Sequence, residues 1–274
     1  MESLGRFIKS HPLESFWIVL LCFAAAFAPF ITRYDPYMVS LADRLQGISR
    51  VHFLGTDDFG RDVFTRIVYG SRIVLYVILL SACLSAFGGT VLGLLSGYFG
   101  GKPDLVLSRI IDAIQAFPAT LLGVMLAAAL GPSLNSAVLS IGLFGTPVLA
   151  RVVRGDVLRI KEMAYTEACR ALGAGHFHIL VRAIFPNILS SVIIQTSCVA
   201  PRAVITVAGL SFLGLGAQPP QPSWGAMIAE ARPFMYKQPT YLIVVVSVLS
   251  ITIIALNLLG DGIRDLLARK QARV

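Results

Sequence analysis

Residues 159–187, RIKEMAYTEACRALGAGHFHILVRAIFPN, are the longest clearly polar interruption in the second half of an otherwise apolar chain. Ala164 to Leu172 are good helix formers with a polar face, and Gly173 to Gly175 supply a stop. His176 to Phe185 read as a second short amphipathic helix, ended by Pro186. Two short helices meeting at a glycine turn project Glu167 and Arg170, while Ala168, Cys169 and Ala171 are small enough for close docking into a cleft. A polar knob of this kind, hung between two membrane spans, needs a partner outside the membrane. A merely solvated loop is the blander reading. His176 and His178 are two apart, point different ways on a helix, and read as surface histidines and not as metal ligands.

The flanking runs set the fold class. The chain has 274 residues, 56% hydrophobic and 14% charged, with a mean hydropathy of +0.76. A soluble chain would carry about 25% charged residues. Apolar segments of roughly 20 residues recur, the length of a spanning helix and not of an alternating outer-membrane strand. The expectation is an all-α integral membrane protein with six transmembrane helices, near 16–32, 72–98, 113–130, 136–152, 188–213 and 242–259. Residues 1–71 form a tail, a first span and an outer amphipathic segment; residues 72–274 form a core of five spans around the 159–187 loop. The first apolar run continues to Ile31 without a small-x-small exit, so it reads as a span and not as a cleaved signal.

Six spans put both termini on one side. The tails and short loops of that side carry Arg6, Lys9, Lys102, Arg109, the 151–182 bases and the basic tail from Arg264 to Arg273. The other side holds fewer, mostly interleaved with acids, so the termini and the 159–187 loop are expected to be cytoplasmic. The formal charge of +8 is thus explained by topology, and no nucleic-acid partner is expected. Cys22, Cys83, Cys169 and Cys198 have no metal or redox spacing and read as free thiols.

Outside the loop, LGTDDFGRDVFTR at 54–66 reads as a turn followed by an amphipathic helix, with Val63, Phe64, Ile67 and Val68 on one side. Arg61, Asp62 and Arg66 are expected to face away, and such a helix can lie at the membrane surface. Asp57, Asp58 and Asp62 lack calcium-loop spacing; helix capping and charge pairing explain them better. Ser85, Gly89, Gly93 and Gly97 form a small-residue strip that predicts close packing against a neighbouring helix. GYFGGKP at 97–103 has three residues between its outer glycines where a phosphate loop needs four, and Pro103 follows the lysine. The chain therefore has no nucleotide site or cofactor of its own.

The segment EAC, three residues, Gly173, then Phe185-Pro186 is similar to the EAA loop of ATP-binding-cassette (ABC) importer permeases. Glu167, Ala168, Gly173 and Pro186 match at the family spacing, with Cys169, Ala183 and Phe185 as mild departures. Together with LGTDDFGRDVFTR, GYFGGKPD at 97–104 and LSFLGLGAQPPQPSWGAMI at 210–228, the chain resembles the shorter permease subunit of the dipeptide/oligopeptide/nickel importer family over nearly its whole length. The resemblance implies a type I, MetI-like permease fold in a bacterial inner membrane, forming half a pore. It implies a paralogous permease partner and two cytoplasmic ATPase subunits that bind ATP and magnesium. It also implies an extracytoplasmic solute-binding protein and surrounding lipid. Glu167, Ala168, Cys169, Arg170 and Gly173 would seat in a cleft of the ATPase. The loop near Trp224 would help receive the binding protein.

Arg202, after Pro201, falls about half-way along the fifth span. A mid-span arginine costs at least about 2.5 kcal/mol unless it meets water or an anion, so Arg202 is expected to line the translocation pathway and attract an acidic group of the solute. A structurally paired arginine is the alternative. Related permeases commonly carry a glutamate at the position of Val207, which would make this cavity the more positive. A secondary transporter or channel-type subunit is a rival reading, but the spans hold no deep acid and no evident repeat, and a channel leaves the docking loop unexplained. A membrane enzyme lacks a Ser-His pair or metal cluster within the spans.

Overall fold

In hydrocarbon a chain must satisfy its own backbone groups, and long apolar runs do so as helices. The computed structural model describes residues 12–271, and among them the only extended pairing is an isolated bridge between Thr56 and Asp62. Five helices are long and apolar enough to cross a membrane: α1 Pro12–Ile31, α2 Val63–Phe99, α5 Leu134–Ile160, α7 His176–Phe212 and α9 Pro239–Gln271. α3 Gly101–Gln115 and α4 Ala119–Leu130 pass the same test only as a pair and meet at 89°, the geometry of a broken span or a re-entrant loop. Short α6 Ala164–Ala171 and α8 Trp224–Ala231 complete the set. The start of α1, the end of α9 and α6 share one face, the tail face; the 32–62 and 213–238 segments form a cap on the other. Arg6, Lys9 and Arg273, counted above for topology, lie outside the described residues.

The centre of the bundle is the α2–α5 pair, and small residues explain its closeness. A Cβ on Gly89 would lie 2.6 Å from Leu149 Cβ, on Gly93 2.6 Å from Val153 Cβ, and on Gly97 2.8 Å from Val157 Cβ. Ser85 Oγ donates to the Gly142 carbonyl at 3.0 Å. With no hydrophobic drive between helices in lipid, such backbone approach is what associates them.

Three expectations are corrected. The third span is not one helix over 113–130: Pro118 ends the first arm and caps α4, whose 12 residues extend only about 18 Å. The outer segment is not a surface helix. Val63 onward is the start of α2, and Arg61, Asp62 and Arg66 are 5%, 5% and 1% exposed. The boundary between residues 71 and 72 therefore falls inside a continuous helix. Finally, Pro186 does not end a short helix. Ile179–Ile184 widen into π geometry, with Phe185 N bonded to Leu180 O, and the widened turn accepts the ring without stopping the helix. The second arm of the expected knob is thus the first part of α7.

The cap is locked by buried charges. Asp57 takes Arg61 Nε at 2.7 Å and Arg66 Nη1 on the same oxygen, while its other oxygen accepts from the Phe59 and Arg61 amides at 2.9 Å. Both guanidiniums also reach Glu230 of α8 at 3.1 Å, and Tyr241 of α9 donates to Glu230 at 3.3 Å. Asp62 caps α2 through Thr65 N at 2.8 Å and holds His52 Nδ1 at 3.0 Å. The DDFGRD motif thus ties the outer loop to α2, α8 and α9.

Candidate functional site

The tail-face loop is built so that one short helix is presented rigidly. Gly173 has φ of +80°; its N–H donates to Arg170 O at 2.9 Å and the Ala174 N–H to Cys169 O at 3.0 Å. This is a Schellman stop, which needs a left-handed residue at that place. Thr166 is buried and donates from Oγ1 to Ile160 O at 3.0 Å, fixing α6 to the end of α5. Cys169 packs against a core of Ile179, Ala183 and Ile184 that includes Tyr98. Glu167, Ala168 and Arg170 face outward, beside Leu172 and Phe177, which are 87% and 79% exposed.

Tyr98, at the end of α2, connects this surface to the bundle. Its hydroxyl lies 2.8 Å from His176 Nδ1, and the Arg170 guanidinium sits 5.7 Å from its ring centroid. Lys161 Nζ donates to Gly97 O at 3.3 Å. His176 is exposed, as its sequence suggests, and has the Tyr98 hydroxyl as its partner. The same end of α2 is pinned to α3 and α5, because Asp104 of α3 accepts from Ser96 of α2 and is gripped by Arg154 Nε and Nη2 of α5 at 2.7 and 2.6 Å. Sequence reasoning did not pick out Tyr98, Asp104 or Arg154, although GYFGGKPD carries two of them.

Arg202 lies within α7 and is exposed on this chain. Among the described residues it enters no ion pair. It lines a cavity of about 210 Å³ between α4, α5 and α7, with Ser140, Gln195, Cys198 and Thr206. Arg202 also lines a cleft of about 130 Å³ with Asn257 and Asp261 of α9. Val207 does not line this cavity; it is 3% exposed and packs with Val77 and Ala137, so its character does not set the cavity charge by contact. Trp224 is 2% exposed. Its Nε1 donates to Ile67 O at 3.0 Å and its ring fills the space beside Gly70, so it holds α8 on α2 and is not a free contact residue. The exposed side chains of the cap include Gln221, Arg232, Tyr236 and Lys237.

An all-helical, multi-span bundle that presents a braced helix on one face and an unpaired cation beside a cavity is a membrane transport component. The chain belongs to the family described as binding-protein-dependent transport system inner membrane component, whose model matches residues 89–273. It is 42% identical to a glutathione transport system permease protein of Pectobacterium atrosepticum, over 98% of this chain and 90% of that one. It is 39% identical to a dipeptide transport system permease protein of Alkalihalophilus pseudofirmus, over 90% and 81%. The fold matches an inward-facing structure of the MetNI methionine ABC transporter with a TM-score of 0.59 at 19% identity, covering 73% of this chain and 96% of that one. The chain is thus a multi-pass ABC transport permease with a MetI-like fold.

Proposed function

We propose that this permease forms half of the translocation pathway of an importer for peptides or a related small solute. The wider class includes a glutathione-like or opine-like molecule or a nickel complex. It would pair with a paralogous permease in a bacterial inner membrane, with both termini cytoplasmic. Two ATPase subunits would bind ATP and magnesium, and an extracytoplasmic binding protein would deliver the solute to the cap. Permease relatives named for glutathione and dipeptides support the solute class.

The observation that carries the reading is the braced α6. Glu167, Ala168, Cys169 and Arg170, closed by Gly173, form a small docking helix tied through Tyr98 to the α2–α5 pair. An ATPase that grips this helix and moves on closure would move the bundle with it, a two-state element biased by a distant ligand. The test is co-purification of the chain with an ATPase, followed by ATP-dependent uptake into proteoliposomes holding the whole complex. Uptake driven by an ion gradient without ATP would refute it.

A further inference from the structure

We infer that Arg202, with Thr206 one turn further along α7, forms a carboxylate-binding subsite in the pathway, selecting for anionic solutes; the inference rests on the importer reading above. Residues 195, 198, 199, 202, 205 and 206 all line one cavity, and at 3.6 residues per turn they occupy a single face of α7. That face carries a guanidinium, an amide and a hydroxyl, set against a wall of Ile141, Phe144, Val148 and Leu149 with Ser140 as its one hydroxyl. A planar guanidinium grips a carboxylate with two parallel hydrogen bonds, and the Thr206 hydroxyl, one turn further along the same face, can donate to the same anion.

The absence of a counter-ion gives the site its sign. A cation within a span persists where it meets water, an acid or a ligand. Arg61 and Arg66, the buried arginines of the cap, are paired with Asp57 and Glu230, whereas Arg202 has no ion pair among the described residues. Asp261 shares the neighbouring cleft with Arg202 but forms no ion pair with it and does not line the 210 Å³ cavity. An anion entering the 210 Å³ cavity meets a positive charge within low-dielectric walls, where attraction is stronger than in water.

Cys198, one turn before Arg202, lines both cavity and cleft and provides a native reporter. In the complete transporter complex in membranes, the Cys198-containing peptide is followed by mass spectrometry during brief reaction with an anionic, sulfonate-bearing thiosulfonate reagent or its cationic, trimethylammonium counterpart. A unit charge beside the thiol should favour the anionic reagent about fivefold. Arg202→Gln should abolish that preference, and Arg202→Lys should keep most of it. At matched ionic strength, glutarate should slow the labelling and glutaramide should not. Equal rates for the two reagents in the parent protein would overturn the subsite, as would equal effects of glutarate and glutaramide; both results would place an acid of the partner subunit against Arg202. The labelling needs neither ATP nor transport, so its failure is separate from any failure of ATP-dependent uptake.

Discussion

The Nε of Arg72 donates a 2.6 Å hydrogen bond to the carbonyl of Ala25, the oxygen that Pro29 leaves without a helical donor. Its Nη2 reaches the next carbonyl, Ala26, at 3.3 Å, and the guanidinium lies 5.1 Å from the Tyr69 ring centroid. A kink in α1, marked by non-helical φ and ψ at Phe27, is thereby filled from α2. Arg72→Leu should destabilise the protein by about 1–3 kcal/mol, because a backbone acceptor loses its partner away from water. Pro29→Ala restores an N–H and should recover most of that loss. Unfolding midpoints of the four proteins in bicelles measure the coupling, and strictly additive effects would mean that proline and arginine are unrelated.

The closeness of α2 and α5 yields a paired expectation. Gly93→Ala places a Cβ 2.6 Å from Val153 Cβ and 2.7 Å from Ala150 O, and neither β-branch nor backbone can swing aside. The helices must separate, at a cost of about 1–3 kcal/mol. Gly155→Ala, on α5 with nothing within 4 Å of the added carbon, should be neutral or stabilising through helix propensity. Thermal unfolding that ranks the two equally would show that the strip does not set the spacing.

These two cases mark what was legible in the sequence. The strip from Ser85 to Gly97 could be read because a period of four on an apolar helix has one physical use. The five long spans were readable from hydropathy, and Gly173 from the need for a stop, whereas the sharp bend between α3 and α4 was not. The role of Arg72 was hidden, since its partner is a carbonyl orphaned 47 residues away. Arg61 and Arg66 fall on the wrong side because periodicity assigns charge to solvent, whereas the nearby Asp57 and the distant Glu230 make burial tolerable here. Trp224 looked like an exposed loop residue because proline-rich surroundings conceal a short helix packed on Gly70. Tyr98 carried no signal, being one aromatic among many in an apolar helix.

The cap cluster makes opposite predictions for two adjacent acids. Asp57→Ala leaves two buried guanidiniums to share Glu230 alone and should cost about 3–5 kcal/mol. Asp58 is different: burial, followed by the charges of Asp57 and Glu230, raises its carboxyl above the ordinary value of 3.8. The folded state therefore holds this proton at a pH where the unfolded chain has released it. The contribution of Asp58 to stability falls as pH rises from 3.8 through the raised value. Asp58→Asn should be more stable than the parent above that window and should flatten the pH dependence within it. Denaturation midpoints across a pH series would show this, and an identical slope in both proteins would remove Asp58 from the account.

Coupling offers the sharpest separation of geometry from chemistry. Gly173 has φ of +80° and open space around a would-be Cβ, so Gly173→Ala clashes with nothing and costs only the left-handed backbone, about 1 kcal/mol. Relief of that strain means loosening the Schellman turn that orients Glu167 and Arg170. Gly175 also has open space but sits at φ of −67°, where alanine is at ease. In the reconstituted importer, Gly173→Ala and Glu167→Ala should lower the ratio of solute-stimulated to basal ATPase activity, and Gly175→Ala should leave the ratio as it is. If Gly173→Ala and Gly175→Ala behave alike, rigidity of the turn is not what transmits the motion; if Glu167→Ala also couples normally, α6 is not the grip.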